Sequence, residues 1–472
     1  MNINKLLSTI ILLLFFVSQN IFSQNIIKSW EGILDIGNGT KLRVIIHILK
    51  GENGKLSALL DSPDQGAKGI KAENVSFENG KINFQIPSIG GTYDGIVDEN
   101  FSRIDGEWKQ AGTSFPLILK KAEKVEEIKR PQEPQKPFPY NEEEVTFKNE
   151  EAGITLAGTF TYPKKGTSFP AVVLVSGSGP QNRDEEVFGH KPFLIWSDYL
   201  TRNGIAVLRY DDRGIGKSTG IFSGATTADF VTDAISAVEY LKTRKEIIPD
   251  KIGIAGHSEG GIIAPIAANK CNDVSFIVLG AGTAVPGNEI LLLQIEAISK
   301  LAGESEERIK REYDLNKKTF EILKSRNDST EVTKKINVLY QEYLNNLPDS
   351  EKSRPENSTA AIEQREKSFS SNWMRYFLRY DPRTELQKLR VPVLAIFGEK
   401  DIQVSPSQNK AEMEKALQKS ESGNYKVVVL PGLNHIFQEC ETGAINEYPK
   451  IEQTTSPKML ELMTLWIKKI TI

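Results

Sequence analysis

"KIGIAGHSEGG", Lys251 to Gly261, is the stretch on which the fold turns. A short β-branched run leads into Gly256, Ser258 stands between that glycine and Gly260, and an apolar run suited to a helix follows. Serine is a favoured helix N-cap for plain hydrogen-bonding reasons, so one reading makes Ser258 an ordinary helix start. The other takes Gly256-His257-Ser258-Glu259-Gly260 as G-x-S-x-G, a strand-to-helix turn too tight for a Cβ at either glycine. Such a turn lifts the hydroxyl clear of the sheet, and the helix N-terminus behind it favours developing negative charge. The rest of the chain decides between the two.

Outward from this stretch, strand and helix patterns alternate. "AVVLVSG" is a continuous apolar run suited to a strand buried on both faces. A helical "PFLIWSDYLTRNG" follows, then a strand in "IAVLRYD" and a helix in "TTADFVTDAISAVEYLKTRK", capped by Thr226 or Thr227. Beyond Ser258 come a strand "FIVLGAG", a strand "VPVLAIFG", a helix "SQNKAEMEKALQKS", a strand "YKVVVLPG" and a terminal helix "SPKMLELMTLWIKKI". Strands alternating with helices predict a doubly wound, mostly parallel α/β sheet over 141–472. The interruption from about 283 to 390 carries helical patterns in "EILLLQIEAISKLAG", "ERIKREYDLNKKTFEILK" and "SFSSNWMRYFLRY". An insert after a strand's carboxyl end lies over the crevice where such sheets bind ligands, so it is expected to be a helical lid.

Residues 24–121 read differently. Alternation in "KLRVIIHILK", "KLSALLD" and "KINFQIP", punctuated by "GNGTK", "GENGKL" and "FENGKI", predicts a small all-β domain, a sandwich or meander barrel. Trp30 and Trp108 are expected in its core. Residues 122–140 carry Pro131, Pro134, Pro137 and Pro139 among charges, the composition of an extended, semi-rigid linker. Residues 1–23 have one early lysine and an apolar core from Leu6 to Val17. That core is too short for a bilayer span of about 20 residues and suits a signal peptide. A secreted or periplasmic location is expected, with an uncleaved anchor as the alternative. No later run of the sequence is long and apolar enough to span a membrane.

Composition narrows the partners. The 472 residues call for at least two domains, and a formal net charge of −3 gives no reason to expect nucleic acid or an anionic membrane. The two cysteines, Cys271 and Cys440, do not make a disulfide framework, and each adjoins a buried element. Four scattered histidines match no usual metal spacing, and neither a metal nor an organic cofactor is expected.

A serine hydroxyl needs a base. His47 lies in the β domain, His190 precedes the serine, and His257 adjoins it on a turn that would send the two side chains apart. His435 in "PGLNHIFQ" follows the last strand, and it alone meets the chain order serine, acid, histidine that accompanies this turn. The acid belongs at the end of an intervening strand, where "VPVLAIFGEKD" offers Glu399 and Asp401. Asp401 is preferred because a G-x-x-D turn carries it past the strand end, and its role would be to orient the imidazole. Asp349 and Asp381 fall in the lid as surface residues.

"VSGSGPQNRD", "RYDDRGIGKS", "GHSEGG", "FGEKD" and the Asn434-His435 pair, in that order, resemble the α/β-hydrolase superfamily, from about Asn141 to the end. The nearest resemblance is to secreted bacterial carboxylesterases that share their hydrolase domain with serine-aminopeptidase-like enzymes. Members commonly carry His-Gly after the strand read here as "AVVLVSG", where this chain has Ser176-Gly177. The resemblance implies an oxyanion hole built from the backbone amides of Ser178 and Glu259. Gly216-Lys217-Ser218 is not a phosphate-binding loop, since Asp211 stands where that pattern needs a glycine. In the family this stretch is a structural loop, in which Arg213 would pair with its neighbouring acids.

The sequence thus predicts a serine hydrolase acting on small acyl or aryl esters through Ser258, Asp401 and His435. The alternatives are a serine peptidase or aminopeptidase of the same fold, or a glycan-binding protein whose hydrolase domain is inert.

Overall fold

The computed structural model describes residues 25–36, 41–51, 55–110, 112–122, 129–325, 329–352, 354 and 357–471. The expected signal segment, 1–23, lies outside the described residues, as does 123–128 of the expected linker. The chain divides into two compact units. The first takes in the chain up to Ile128 and 353–361, and the second Lys129–Lys352 and Ile362–Ile472.

The first unit is all-β, with nine antiparallel strands among the described residues, from β1 (Ser29–Asp35) to β9 (Thr113–Lys121). They form a meander in which β1 pairs with β9 and the two edges are β4 (Ala67–Lys71) and β5 (Glu73–Glu78). Period-two patterning sets the buried face. In Lys81–Ile86, residues 82, 84 and 86 are buried and 81, 83 and 85 exposed. Trp30 and Trp108 are buried in this core.

The second unit is an eight-stranded mixed sheet with helices on both faces. Its strands are β10 (Tyr140–Asn149), β11 (Ile154–Pro163), β12 (Phe169–Val175), β13 (Ala206–Tyr210), β14 (Ile247–His257), β15 (Phe276–Gly280), β16 (Val393–Gly398) and β17 (Tyr425–Leu430). The order is β10-β11-β13-β12-β14-β15-β16-β17. Pairing is antiparallel through β10, β11 and β13 and parallel from β13 across to β17. The β10–β11 hairpin was not anticipated by the strand and helix pattern; β11 buries six consecutive residues, Leu156 to Thr161, rather than alternating.

Helices α1 (Pro192–Arg202), α2 (Thr227–Lys242) and α3 (Gly260–Lys270) precede the insert; α11 (Pro406–Gln418) and α12 (Pro457–Thr471) follow it. Residues of α2, α3 and α11 pack on one face of the sheet and those of α1 and α12 on the other, burying a core on each side. Thr226 caps α2 through a capping box with Asp229. Between β15 and β16 the chain forms α4 (Gly287–Leu301), α5 (Glu306–Lys324), α6 (Ser329–Asn345), α7 (Asp349–Lys352), α8 (Thr359–Phe369), α9 (Asn372–Arg379) and α10 (Arg383–Leu386). This is the helical lid. It carries its own apolar cluster, including Leu315, Phe320, Ile336 and Tyr340. Helices α6 and α8 fall in stretches whose charge density obscured their pattern.

Residues 129–140 differ from a free spacer. Arg130 donates to the backbone carbonyls of Ile451 (2.7 Å), Gly189 (3.0 Å), Pro449 (3.0 Å) and Phe188 (3.3 Å). Gln132 Oε1 accepts from the amides of Thr454 and Thr455. Proline spacing forbids helix and sheet ladder here, but it leaves long polar side chains free to satisfy loop carbonyls. Cys271 and Cys440 are unpaired. Among the described residues, no helix is long and apolar enough to cross a membrane.

Candidate active site

The site is assembled at the carboxyl ends of β12, β14, β16 and β17. After β14 the chain turns so tightly that Ser258 adopts φ +53, a left-handed conformation costly for a residue with a side chain. A Cβ on Gly256 would stand 2.0 Å from the carbonyl oxygen of Gly260, and one on Gly260 would stand 2.1 Å from that of Val175. Both positions therefore need glycine. The Ser258 amide donates to the carbonyl of Gly280 on the neighbouring strand (2.8 Å), which anchors the turn to the sheet. These features favour the strained turn over the simple N-cap.

Asp401 and His435 meet although 34 residues separate them. Their Nδ1–Oδ2 distance is 2.8 Å, and because a carboxylate only accepts, Nδ1 is the donor, which leaves Nε2 as the lone-pair nitrogen of the neutral ring. The other Asp401 oxygen accepts from the amides of Gln403 and Val404, each at 2.8 Å. Burial pushes the Asp401 carboxyl up, but the His435 ring and the two amides outweigh it and hold the group below its ordinary range. The turn bearing His435 is itself locked. Asn434 Nδ2 donates to Gln438 Oε1 (2.8 Å), and the Gln438 amide donates back to Asn434 Oδ1 (2.9 Å). Glu399 is directed elsewhere, with Oε2 accepting from the amide of Gly432 (2.8 Å).

Ser258 and His435 line one cavity of about 80 Å3 together with Ser178, Glu259, Ile262, Ile290, Leu291, Phe377 and Trp373. Leu291 and Ile290 come from α4, and Trp373 and Phe377 from α9, so the lid forms part of its wall. Ser178 and Glu259, the expected oxyanion residues, both belong to it. A larger depression of about 610 Å3 is lined by Asp381, Arg383, Glu412 and neighbouring polar residues. It contains none of the expected catalytic residues.

Two buried acids hold the loop after β12. Ser176 Oγ donates to Asp212 Oδ1 (2.9 Å) and the Gln181 amide to Asp212 Oδ2 (2.9 Å). Burial pushes the Asp212 carboxyl up to about 7. The Gly177 amide donates to Glu185 Oε1 (2.7 Å), which also receives His257 Nδ1 (2.8 Å). The Glu259 side chain is buried, and its Oε1 accepts from Thr227 Oγ1 (2.6 Å) and from the Trp373 indole (2.8 Å). Glu185, Asp212 and Trp373 were not singled out from sequence. Only the density of acids in "NRDEE" and "YDDR" hinted at the first two.

The remaining histidines and acids fall away from the cavity. His47 sits in the β unit between Ser29 Oγ (2.7 Å) and Asp61 Oδ2 (2.9 Å). His190 is buried against Thr454 and the Tyr448 carbonyl, and burial lowers it to about 4. Asp349 is solvent-exposed, and Asp381 pairs with Arg383. Arg213 does not pair with its sequence neighbours. It reaches Asp233 on α2 (2.7 Å), while Asp211 is taken by Arg183 (2.8 Å), because the loop turns its two adjacent acids away from the guanidinium. Among the described residues, no group of three or more His, Cys, Asp or Glu side chains is arranged to hold a metal ion.

A family model described as serine aminopeptidase, S33, matches residues 196–441, just over half of the chain. The chain belongs to this family of α/β hydrolases. Among curated relatives, the hydrolase is 27% identical over 424 residues to esterase EstD of Thermotoga maritima, covering 90% of this chain and 87% of the relative. That match is longer than the 129–472 segment and so extends into the β unit. Among solved structures it is similar to Est1E from Butyrivibrio proteoclasticus with ferulic acid bound (18% identity, TM-score 0.40, 69% of this chain and 97% of that one). It is also similar to the Pyrococcus furiosus esterase Pf2001 (15% identity, TM-score 0.41, 71% and 92%).

Proposed function

We propose that the hydrolase is a carboxylesterase for small acyl or aryl esters, with Ser258 as nucleophile, His435 as base and Asp401 as the residue that orients it. The observation carrying this reading is that an imidazole fixed by a buried carboxylate at 2.8 Å lines the same small cavity as a serine on a strained turn. His435 Nε2 takes the Ser258 proton as Oγ attacks the ester carbonyl. The oxyanion is received by the amides of Ser178 and Glu259, and His435 returns the proton to the departing alcohol. Water, deprotonated by the same nitrogen, then releases the acid. Residues 1–23 would direct the chain out of the cytoplasm.

The cavity also sets the acyl length. Ile290, Leu291 and Phe377 bound it, so each methylene gains about 0.8 kcal/mol only until the wall is met. The wild-type enzyme should prefer acetate and propionate among p-nitrophenyl esters, with little turnover of aminoacyl p-nitroanilides. Leu291→Ala shortens a half-buried lid side chain and should raise kcat/KM for the hexanoate relative to the acetate by roughly tenfold. An unchanged chain-length profile would mean that the acyl group lies elsewhere, and preferred cleavage of the anilides would favour a peptidase.

A further inference from the structure

His257 precedes Ser258, and its ring is bonded to Glu185 and to the backbone of His435. Its Nδ1 meets Glu185 Oε1 at 2.8 Å, and its Nε2 meets the backbone carbonyl of His435 at 3.0 Å. A backbone carbonyl and a carboxylate can only accept. Glu185 Oε1 also accepts the Gly177 amide, at 2.7 Å. Nε2 of His257 must therefore carry a proton, and beside a Glu185 carboxylate Nδ1 carries one as well, which makes the ring a cation. The ring is buried, with its centroid 4.9 Å from that of His435 and further aromatic contacts to Trp196 and Phe437.

Glu185 bears the marks of a residue held for one purpose. It is 3% exposed, has φ +50, and its Oε2 is buried without a hydrogen-bond partner. Backbone strain and an unsatisfied oxygen both cost free energy, and such costs persist where the surroundings enforce them.

We infer that Glu185 and His257 form a charged positioning pair, a permanently protonated imidazolium and its carboxylate, clamping the oxyanion loop at Gly177 and the backbone of the base at His435. The pair rests on the triad assignment above. It touches no reacting atom, so it acts through the groups it holds. It also sets the electrostatics of the base. The imidazolium opposes a second charge on His435, while Glu185 offsets it and Asp401 favours the charged base. Of the other titratable groups nearby, burial keeps the Tyr448 phenol protonated, and Glu259 lines the cavity.

With four histidines in the chain, 15N-histidine labelling yields four resolvable rings. The His257 signal is assigned by its loss in His257→Gln or, should that variant not fold, by its perturbation in Glu185→Gln. In the wild type, both His257 nitrogens should remain protonated from about pH 6 to about pH 8, where a free imidazole loses its charge. In Glu185→Gln the ring should become neutral within that range. The acid limb of kcat/KM should rise by about one pH unit in His257→Gln, because loss of the cation and the stranded carboxylate both favour a charged His435. The double variant, lacking both charges, should return it to the wild-type position. A neutral His257 in the wild type at pH 7, or an acid limb unmoved in His257→Gln while kcat alone falls, would overturn the proposal. The ring spectra do not depend on turnover, so they stand whatever Ser258→Ala shows of the triad.

Discussion

Replacing Ser258 with alanine is expected to lower kcat on p-nitrophenyl acetate by about 10⁶-fold, with the circular dichroism spectrum unchanged. The size follows from the triad acting as one unit: without Oγ, the base has nothing to deprotonate and the oxyanion donors have no tetrahedral species to hold. Alanine has a Cβ like serine, so the turn at φ +53 is strained equally in both. The comparison therefore isolates the hydroxyl from the fold. A residual rate within tenfold of wild type would exclude Ser258 as the nucleophile.

The second large effect separates two acids that lie two positions apart. Asp401→Asn should lower kcat by about 10⁴-fold, whereas Glu399→Gln should leave it within about threefold. Oδ1 of Asp401 is already claimed by the amides of Gln403 and Val404, and Oδ2 takes Nδ1–H of His435. An asparagine there must either turn its NH2 toward two backbone donors or present it to His435. In the latter case the imidazole is forced into the tautomer whose Nε2 carries the proton and can no longer act as base. Glu399 only supports the Gly432 amide. Equal losses in both variants would show that the strand-end loop, rather than one carboxylate, matters.

Much of this arrangement was legible in the chain because it depends on local patterns. The glycines flanking Ser258 are required by the contacts of 2.0 and 2.1 Å that a side chain would make, and such requirements show as a motif. His435 could be reached by elimination among four histidines, since chain order and strand ends constrain where a base can stand. The choice between Glu399 and Asp401 was weaker. It depends on a turn in which the Asp401 amide reaches the Gly398 carbonyl (3.2 Å) and so brings its side chain back toward the base. Glu185 left no local signal beyond the density of acids around it. Its contacts are with residues 8 and 72 positions away, and its left-handed backbone is one that glutamate seldom adopts. The lid was visible as an interruption, but α6 and α8 lie in stretches dense in charge, although α6 buries Val332, Ile336 and Tyr340. Arg130 was read as part of a spacer for a related reason. Composition reports that no regular element forms, and says nothing of a guanidinium satisfying four loop carbonyls.

The most direct test is covalent. Treatment with a fluorophosphonate, followed by peptide mass spectrometry, should give one adduct, on the peptide containing Ser258, and His435→Ala should abolish it. An unlabelled protein, or an adduct on any other serine, would contradict the assignment of Ser258 as a base-activated nucleophile.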